Sequence, residues 1–255
     1  MVRVRIIPVL LIDNGKLVKT IKFKKSTYIG DPFNAIKIFN EKEVDEIVVL
    51  DISATKRGKS INYELLKNLA GECFMPLAYG GGIVTLEDAK RVFGMGAEKV
   101  ILNSILLKNP QLIYKITDIY GSQAVVASLD IKKTIFNTYR IYNQRWQLMQ
   151  NRKVLTWLKN MENFGVGEIL INSVNNDGMM AGFDNELIKL ITQNTTLPVI
   201  ACGGAGNIGH LREAVKNGAS AVAAGSIFIY SSKSKGILIN YPSQDVLQEE
   251  FYSQI

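Results

Sequence analysis

Two glycine-rich turns, Gly80-Gly81-Gly82 and Gly203-Gly204-Ala205-Gly206, are the first residues whose type and spacing suggest chemistry. Lacking side chains, such turns let backbone N–H groups close on an anion, and a helix starting behind them adds a favourable dipole. Each is followed one strand later by a hydroxyl, in Asn103-Ser104 after the first turn and Gly225-Ser226 after the second. A tight connection alone explains one glycine-rich turn. Two of them, each paired with a downstream serine, predict two phosphate cradles and an anionic ligand phosphorylated at both ends. Gly204-Ala205-Gly206-Asn207-Ile208-Gly209 also spells Gly-x-Gly-x-x-Gly. A dinucleotide site further needs an acid at the end of the next strand, where Ala224-Gly225-Ser226 offers none, so no nicotinamide or flavin cofactor is expected.

Proton transfer calls for a titratable side chain beside the ligand. Asp130 closes the run Ala127-Ser128-Leu129 and precedes a basic stretch rather than a helix, so helix capping does not account for it. Asp177-Gly178 follows another apolar run, and Asp51 ends a third in a position that suits a cap. Arg5, Glu46, Lys99 and Glu168 each stand at the start of such a run. Alternating in sign, they predict a closed ring, either a plug that seals a core or a gate for a small polar molecule. Lys16, Lys19, Lys22, Lys24 and Lys25 predict a mobile basic loop after the first run. His210 is the single histidine and is expected on an exposed helix; of the two cysteines, Cys73 and Cys202, the latter reads as a buried apolar residue. With so few soft ligands, neither a metal site nor a disulfide scaffold is expected.

The elements that must position these groups alternate along the chain. Eight short β-branched runs fall at 5–11, 46–51, 76–80, 99–103, 124–130, 168–172, 198–202 and 221–225. Several are apolar throughout, as a parallel sheet covered on both faces requires. Helical patterns lie near 33–44, 61–72, 86–95, 109–119, 154–164, 184–193 and 208–217. Eight strands alternating with helices over this length predict an α/β chain folded as a (β/α)8 TIM barrel, with an open doubly wound sheet as the runner-up. An internal repeat favours the barrel. Glu46-Ile47-Val48-Val49-Leu50 resembles Glu168-Ile169-Leu170-Ile171-Asn172, Gly81-Gly82 matches Gly203-Gly204, and Ser104-Ile105 matches Ser226-Ile227, all at an offset of 122 (168 − 46). One offset in three regions predicts two similar half-barrels, and no linker divides them, so residues 1–255 read as one domain.

At 255 residues, 47% hydrophobic and 21% charged, the chain excludes disordered and low-complexity classes. No apolar run approaches the ~20 residues that cross a bilayer, and no secretory signal is recognisable, so a cytoplasmic location without membrane contact is expected. The net charge is +7. Lys132, Lys133, Arg140, Arg145, Arg152, Lys153 and Lys159 fall between Ile131 and Met161 with no acid among them. Such a field draws anions. Tyr139, Tyr142 and Trp146 in this stretch make no nucleic-acid motif, so small anions rather than nucleic acid are the expected partners.

Taken together, Gly30-Asp31-Pro32, Asp45-Glu46 with Leu50-Asp51-Ile52, Gly80-Gly81-Gly82-Ile83, Gly121-Ser122-Gln123-Ala124-Val125-Val126, Gly167-Glu168-Ile169-Leu170, Asn176-Asp177-Gly178 and Ala201-Cys202-Gly203-Gly204-Ala205-Gly206 resemble the cyclase subunit of imidazole glycerol phosphate synthase, the HisF family. The resemblance runs from about Arg5 to Phe228. It implies a histidine-biosynthesis lyase/cyclase barrel that works with a HisH-like glutaminase docked on its N-terminal face. Ammonia would enter through the gate Arg5, Glu46, Lys99 and Glu168 and meet a bis-phosphorylated substrate at the other end. The resemblance places one phosphate at Gly82, Asn103 and Ser104, the other at Asp177, Gly178, Gly204, Gly225 and Ser226, a substrate lysine at Lys19 and a catalytic carboxylate at Asp130. The family has a second catalytic Asp at the end of strand one, where this chain has Leu11, and a Cys two residues earlier, where it has Val9. Asp13, two residues on, is read as past the strand end. The departure resembles diverged paralogues from surface-polysaccharide (LPS O-antigen) clusters, which pass ammonia to a sugar amidotransferase acting on a nucleotide-activated sugar. The alternatives are an authentic histidine-pathway cyclase and a stand-alone phosphosugar isomerase.

Overall fold

The computed structural model describes residues 3–143, 148–149, 153–231 and 236–255. Eight parallel strands close into a barrel: β1 (Arg5–Asp13), β2 (Ile47–Asp51), β3 (Leu77–Gly80), β4 (Lys99–Leu102), β5 (Val125–Lys133), β6 (Glu168–Ser173), β7 (Val199–Cys202) and β8 (Ala221–Ala224). The ring closes where Arg5 of β1 pairs with Ala221 of β8, and it is continuous where Asp130 of β5 faces Asn172 of β6. The ring of eight therefore has no free edge, which excludes the open sheet and gives the (β/α)8 barrel. The layer outside is α1 (Pro32–Glu41), α2 (Tyr63–Glu72), α3 (Leu86–Gly94), α4 (Gln111–Tyr120), α5 (Val154–Asn163), α6 (Asn185–Thr192), α7 (Ile208–Lys216) and α8 (Gln244–Glu250). Among the described residues no helix is long and apolar enough to cross a membrane.

Side-chain parity along the strands builds two concentric cores. On β1, Ile7, Val9 and Leu11 point inward and join Val48, Ala78, Ile101, Val126, Leu170, Ile200, Ala221 and Ala223 in the barrel interior. Ile6, Leu10 and Ile12 point outward and pack with Phe39, Leu66, Val92, Ile116, Leu158 and Leu211 of the helices. Each fully buried aliphatic of this kind contributes roughly 1.5–3 kcal/mol.

The repeat is structural as well as sequential. Asn62 caps α2 and Asp184 caps α6; Thr85 caps α3 and Asn207 caps α7. Each pair keeps the offset of 122 (184 − 62 and 207 − 85). Every one of these caps accepts a backbone N–H within the first turn, a contact worth about 1 kcal/mol.

Three elements depart from expectation. Residues 16–30 are not a free loop: Lys16–Thr20 and Ser26–Gly30 form an antiparallel hairpin that continues the barrel sheet beyond β1. Asp13 is consequently the last residue of β1, paired with Lys16 at the hairpin turn, rather than past the strand end. The basic stretch after Asp130 begins as an extension of β5, with Lys132 opposite Arg140 on the strand Tyr139–Asn143; Arg145, Trp146 and Arg152 lie outside the described residues. Finally, α8 was not anticipated, and it follows Tyr241, whose buried hydroxyl donates to Ile6 O at 3.1 Å.

Candidate active site at the carboxyl end of the barrel

Both glycine turns open onto one cavity of about 740 Å³ at the carboxyl ends of the strands, the face on which barrels of this class carry their chemistry. At the first turn Gly81 and Gly82 have φ of 115° and 76°; at the second Gly203 and Gly204 have 92° and 117°. These are left-handed conformations, and a Cβ on Gly204 would stand 2.1 Å from Gly182 O, so only glycine fits. The serines follow as expected: Ser104 opens the short 3₁₀ turn Ser104–Leu107 after β4, and Ser226 opens the short helix Ser226–Ile229 after β8. Ser226 is buried and its Oγ has no protein partner among the described residues, which leaves an unspent hydroxyl in the cavity lining. Gly82, Asn103, Ser104, Asp177, Gly178, Gly204, Gly225 and Ser226 all line this cavity, as do Lys19 and Asp130.

The hairpin after β1 delivers Lys19. Unlike the exposed Lys16, Lys22, Lys24 and Lys25, it is buried. Its Nζ lies 3.3 Å from Asp177 Oδ1, and Thr20 Oγ1 donates to Asp177 Oδ2 at 3.1 Å. The two segments interlock, because Lys22 N donates to Asp177 O at 2.9 Å and a Cβ on Gly178 would stand 2.4 Å from Thr20 O. A Cβ on Gly225 would stand 3.1 Å from Val9 O and 3.2 Å from Lys19 Nζ, a tight fit that glycine relieves.

Asp130 accepts a hydrogen bond from Asn103 Nδ2 at 2.9 Å, and the same amide reaches Ser128 Oγ at 3.4 Å. Burial pushes the Asp130 carboxyl up to about 7; the Asn103 hydrogen bond opposes this and the charge of Asp177 adds to it. A carboxylate poised there exchanges protons near neutrality. Leu11 lines the same cavity, side by side with Leu50 of β2 and Val18 of the hairpin. Asp51, by contrast, caps the short helix Ile52–Arg57, accepting from Ser53 N at 2.9 Å and Ser53 Oγ at 2.6 Å.

At the opposite mouth the four charges form the anticipated ring. Arg5 donates to both Glu46 and Glu168, and Lys99 Nζ meets Glu46 Oε2 at 2.9 Å and Glu168 Oε2 at 3.0 Å. Burial draws the Arg5 guanidinium down, but the charges of Glu46 and Glu168 outweigh it and hold it above its ordinary value. Glu46 is only 3% exposed and its Oε1 has no partner among the described residues, so one acceptor is unspent at the barrel axis. Between this ring and the cavity lies the apolar interior band of Ile7, Val48, Val126 and Leu170.

Two readings of single residues need correction. Cys202 is half-buried: it packs against the barrel interior and also lines the cavity, with burial pushing its thiol up to about 12. His210 is half-buried on α7, its Nδ1 accepting from Gly206 N at 3.1 Å. The sequence reading also missed Thr20, Ser128 and Asn172, all cavity residues. Strand parity held the signal for two of them, since Ser128 precedes Asp130 by two and Asn172 follows Leu170 by two.

Comparison with known proteins agrees with this geometry. A family model described as histidine biosynthesis protein matches residues 5–234. A Pseudomonas aeruginosa chain provisionally named imidazole glycerol phosphate synthase subunit hisF2 is 48% identical over 97% of this chain and 99% of its own length. The Exiguobacterium sibiricum imidazole glycerol phosphate synthase subunit HisF is 41% identical over 88% of this chain and 90% of its own. A Streptococcus sanguinis subunit of the same name is 39% identical over 92% and 93%. With its duplicated half-barrels, paired glycine turns and these relatives, the chain belongs to the HisF family of histidine-biosynthesis barrels.

Proposed function

We propose that this chain is the barrel subunit of an imidazole glycerol phosphate synthase-like glutamine amidotransferase. It takes ammonia from a HisH-like glutaminase at the Arg5–Glu46–Lys99–Glu168 mouth and delivers it to the cavity at the other end. The carrying observation is the contrast between the two ends: the charged ring is complete, whereas the strand-one acid position holds Leu11.

The chemistry follows from polarity. Ammonium is attracted to the ring, where Glu46 Oε1 has an unspent acceptor. The apolar band behind it strongly disfavours a charge but tolerates a small neutral amine, so ammonia proceeds without its extra proton. At the far end the two glycine-and-serine cradles hold the phosphates of the ligand, with Lys19 supplying positive charge at the second. Asp130 is left as the one titratable carboxyl pushed toward neutrality there. A leucine neither takes nor gives a proton, and losing one member of an acid–base pair costs about 10²–10⁴ in rate. The barrel therefore retains the ammonia route with weakened cyclase chemistry, and its ammonia goes on to a sugar amidotransferase partner acting on a nucleotide-activated sugar.

A second reading, the authentic cyclase of histidine biosynthesis, is favoured by one observation: Asp130, Asn103, Lys19 and both cradles are all in place. Mixing the purified chain with a HisH-type glutaminase separates these from a stand-alone isomerase. Either amidotransferase reading requires faster glutamine hydrolysis in the presence of the barrel; an unchanged rate rejects both.

A further inference from the structure

The internal repeat reveals a difference between the two halves just outside the cradles. Beside the second cradle lies a separate cavity of about 580 Å³, bounded among others by Ala181, Asn207, His210 and Tyr230. Subtracting 122 from these numbers gives Lys59, Thr85, Asp88 and Lys108. Of those, Lys59, Asp88 and Lys108 line the main cavity, so the equivalent chamber beside the first cradle is continuous with it. Two uncharged positions of the second chamber, Ala181 and Tyr230, are thus lysines in the first. A third exchange lies one helical turn away. Asn185 Nδ2 donates to Glu213 at 3.3 Å in the second half, where the first half stacks the Arg91 guanidinium 3.5 Å from the centre of the Tyr63 ring.

The one carboxylate of the first chamber, Asp88, spends its oxygens on neighbouring donors and not on Lys59 or Arg91. Asp88 Oδ1 accepts from the Tyr63 hydroxyl at 3.0 Å, and Oδ2 accepts from Thr85 N at 2.9 Å and Val84 N at 3.1 Å. Burial raises the Asp88 carboxyl, but these hydrogen bonds outweigh it and hold it below its ordinary value. Lys59 Nζ donates to the neutral Asn14 Oδ1 at 3.1 Å, and among the described residues no carboxylate forms an ion pair with Lys59 or Arg91. The three cations are tied to the cradle itself. A Cβ on Gly82 would stand 2.9 Å from Ile61, two residues after Lys59; Arg91 is on the helix that follows Gly82; and Lys108 ends the turn that Ser104 begins.

We infer that the first-half site takes a diphosphate rather than a monophosphate, its inner phosphate in the Gly82 and Ser104 cradle and its outer phosphate among Lys59, Arg91 and Lys108. This rests on the reading of that turn as a phosphate cradle. Charge-assisted contacts to an outer phosphate exist only in the first half, so the ligand is polar in a second sense: one end is a diphosphate ester, the other a monophosphate.

Calorimetric titration of the full chain with inorganic pyrophosphate and with orthophosphate, at one pH and fixed ionic strength, tests this. Pyrophosphate binds about tenfold tighter or better. The K59A/R91A variant brings the two anions to similar affinity while orthophosphate binding stays within about twofold. Lys108→Ala, which leaves the Tyr63 stack intact, narrows the preference by itself. Removing the same charge from the exposed hairpin, in K24A/K25A, leaves the preference unchanged. Equal affinities in the unaltered chain, or an equal loss in K24A/K25A and K59A/R91A, overturn the inference while leaving the cradle. Absence of binding by both anions overturns the cradle reading and the inference with it.

Discussion

At the scale of single residues, Asp130 and Leu11 set what the cavity can do with a proton. Folding raises the Asp130 carboxyl from the ordinary aspartate value to about 7. A raised carboxyl binds its proton more tightly in the native state, so this contribution to stability is full below the unfolded value and is lost as pH rises through 7. Asp130→Asn cannot ionise and escapes that loss. Its stability relative to the unaltered chain should therefore climb between pH 5 and pH 8, by roughly 2–3 kcal/mol if the whole shift is realised. Denaturant titration at the two pH values measures this, and parallel pH dependence in both proteins would remove the case for a proton-exchanging Asp130. Leu11→Asp does the reverse, placing a new carboxylate at the end of β1 among Val18 and Leu50. It should cost about 1–3 kcal/mol through burial of a polar group while raising ammonia-dependent cyclase turnover. A variant that is destabilised but no more active would show that the missing acid is not what limits the reaction.

At the scale of elements, the turns and the ring make separable predictions. Gly204→Ala meets Gly182 O at 2.1 Å from a left-handed backbone, so a loss of roughly 3 kcal/mol is expected in chemical denaturation, together with loss of phosphate binding. Gly71→Ala on α2, where a Cβ meets open space, should gain about 0.5–1 kcal/mol. Lys99→Met leaves Glu46 and Glu168 with Arg5 alone, and stripping a partner from such buried carboxylates should cost about 3 kcal/mol. The same elements show what the sequence can and cannot reveal. All eight barrel strands were legible within two or three residues, because a parallel sheet buried on both faces demands continuous apolar runs. The ring was legible because each charge interrupts such a run at the same end. The hairpin of Lys16–Thr20 and Ser26–Gly30 was not, since its lysines hide a short alternation in which Leu17 to Thr20 are all buried. Nor was the half-buried thiol of Cys202, whose surroundings come from Asn172 and Lys19, far away in the chain.

At the scale of the whole molecule, two similar halves have kept the same backbone and diverged in charge. The chain carries a net +7, and its cavity holds the buried Lys19–Asp177 pair together with the raised carboxyl of Asp130. The two ends of the barrel differ: one presents a ring of four charges, the other holds Leu11 where the family resemblance implies a second acid. The most direct test supplies the purified chain with saturating ammonium and the bis-phosphorylated substrate of imidazole glycerol phosphate synthase and measures imidazole glycerol phosphate. With Leu11 in place of an acid, turnover should fall about 10²–10⁴ below that of the Exiguobacterium sibiricum subunit assayed alongside, with partial recovery in Leu11→Asp. Turnover equal to that subunit, with Leu11 in place, would contradict it.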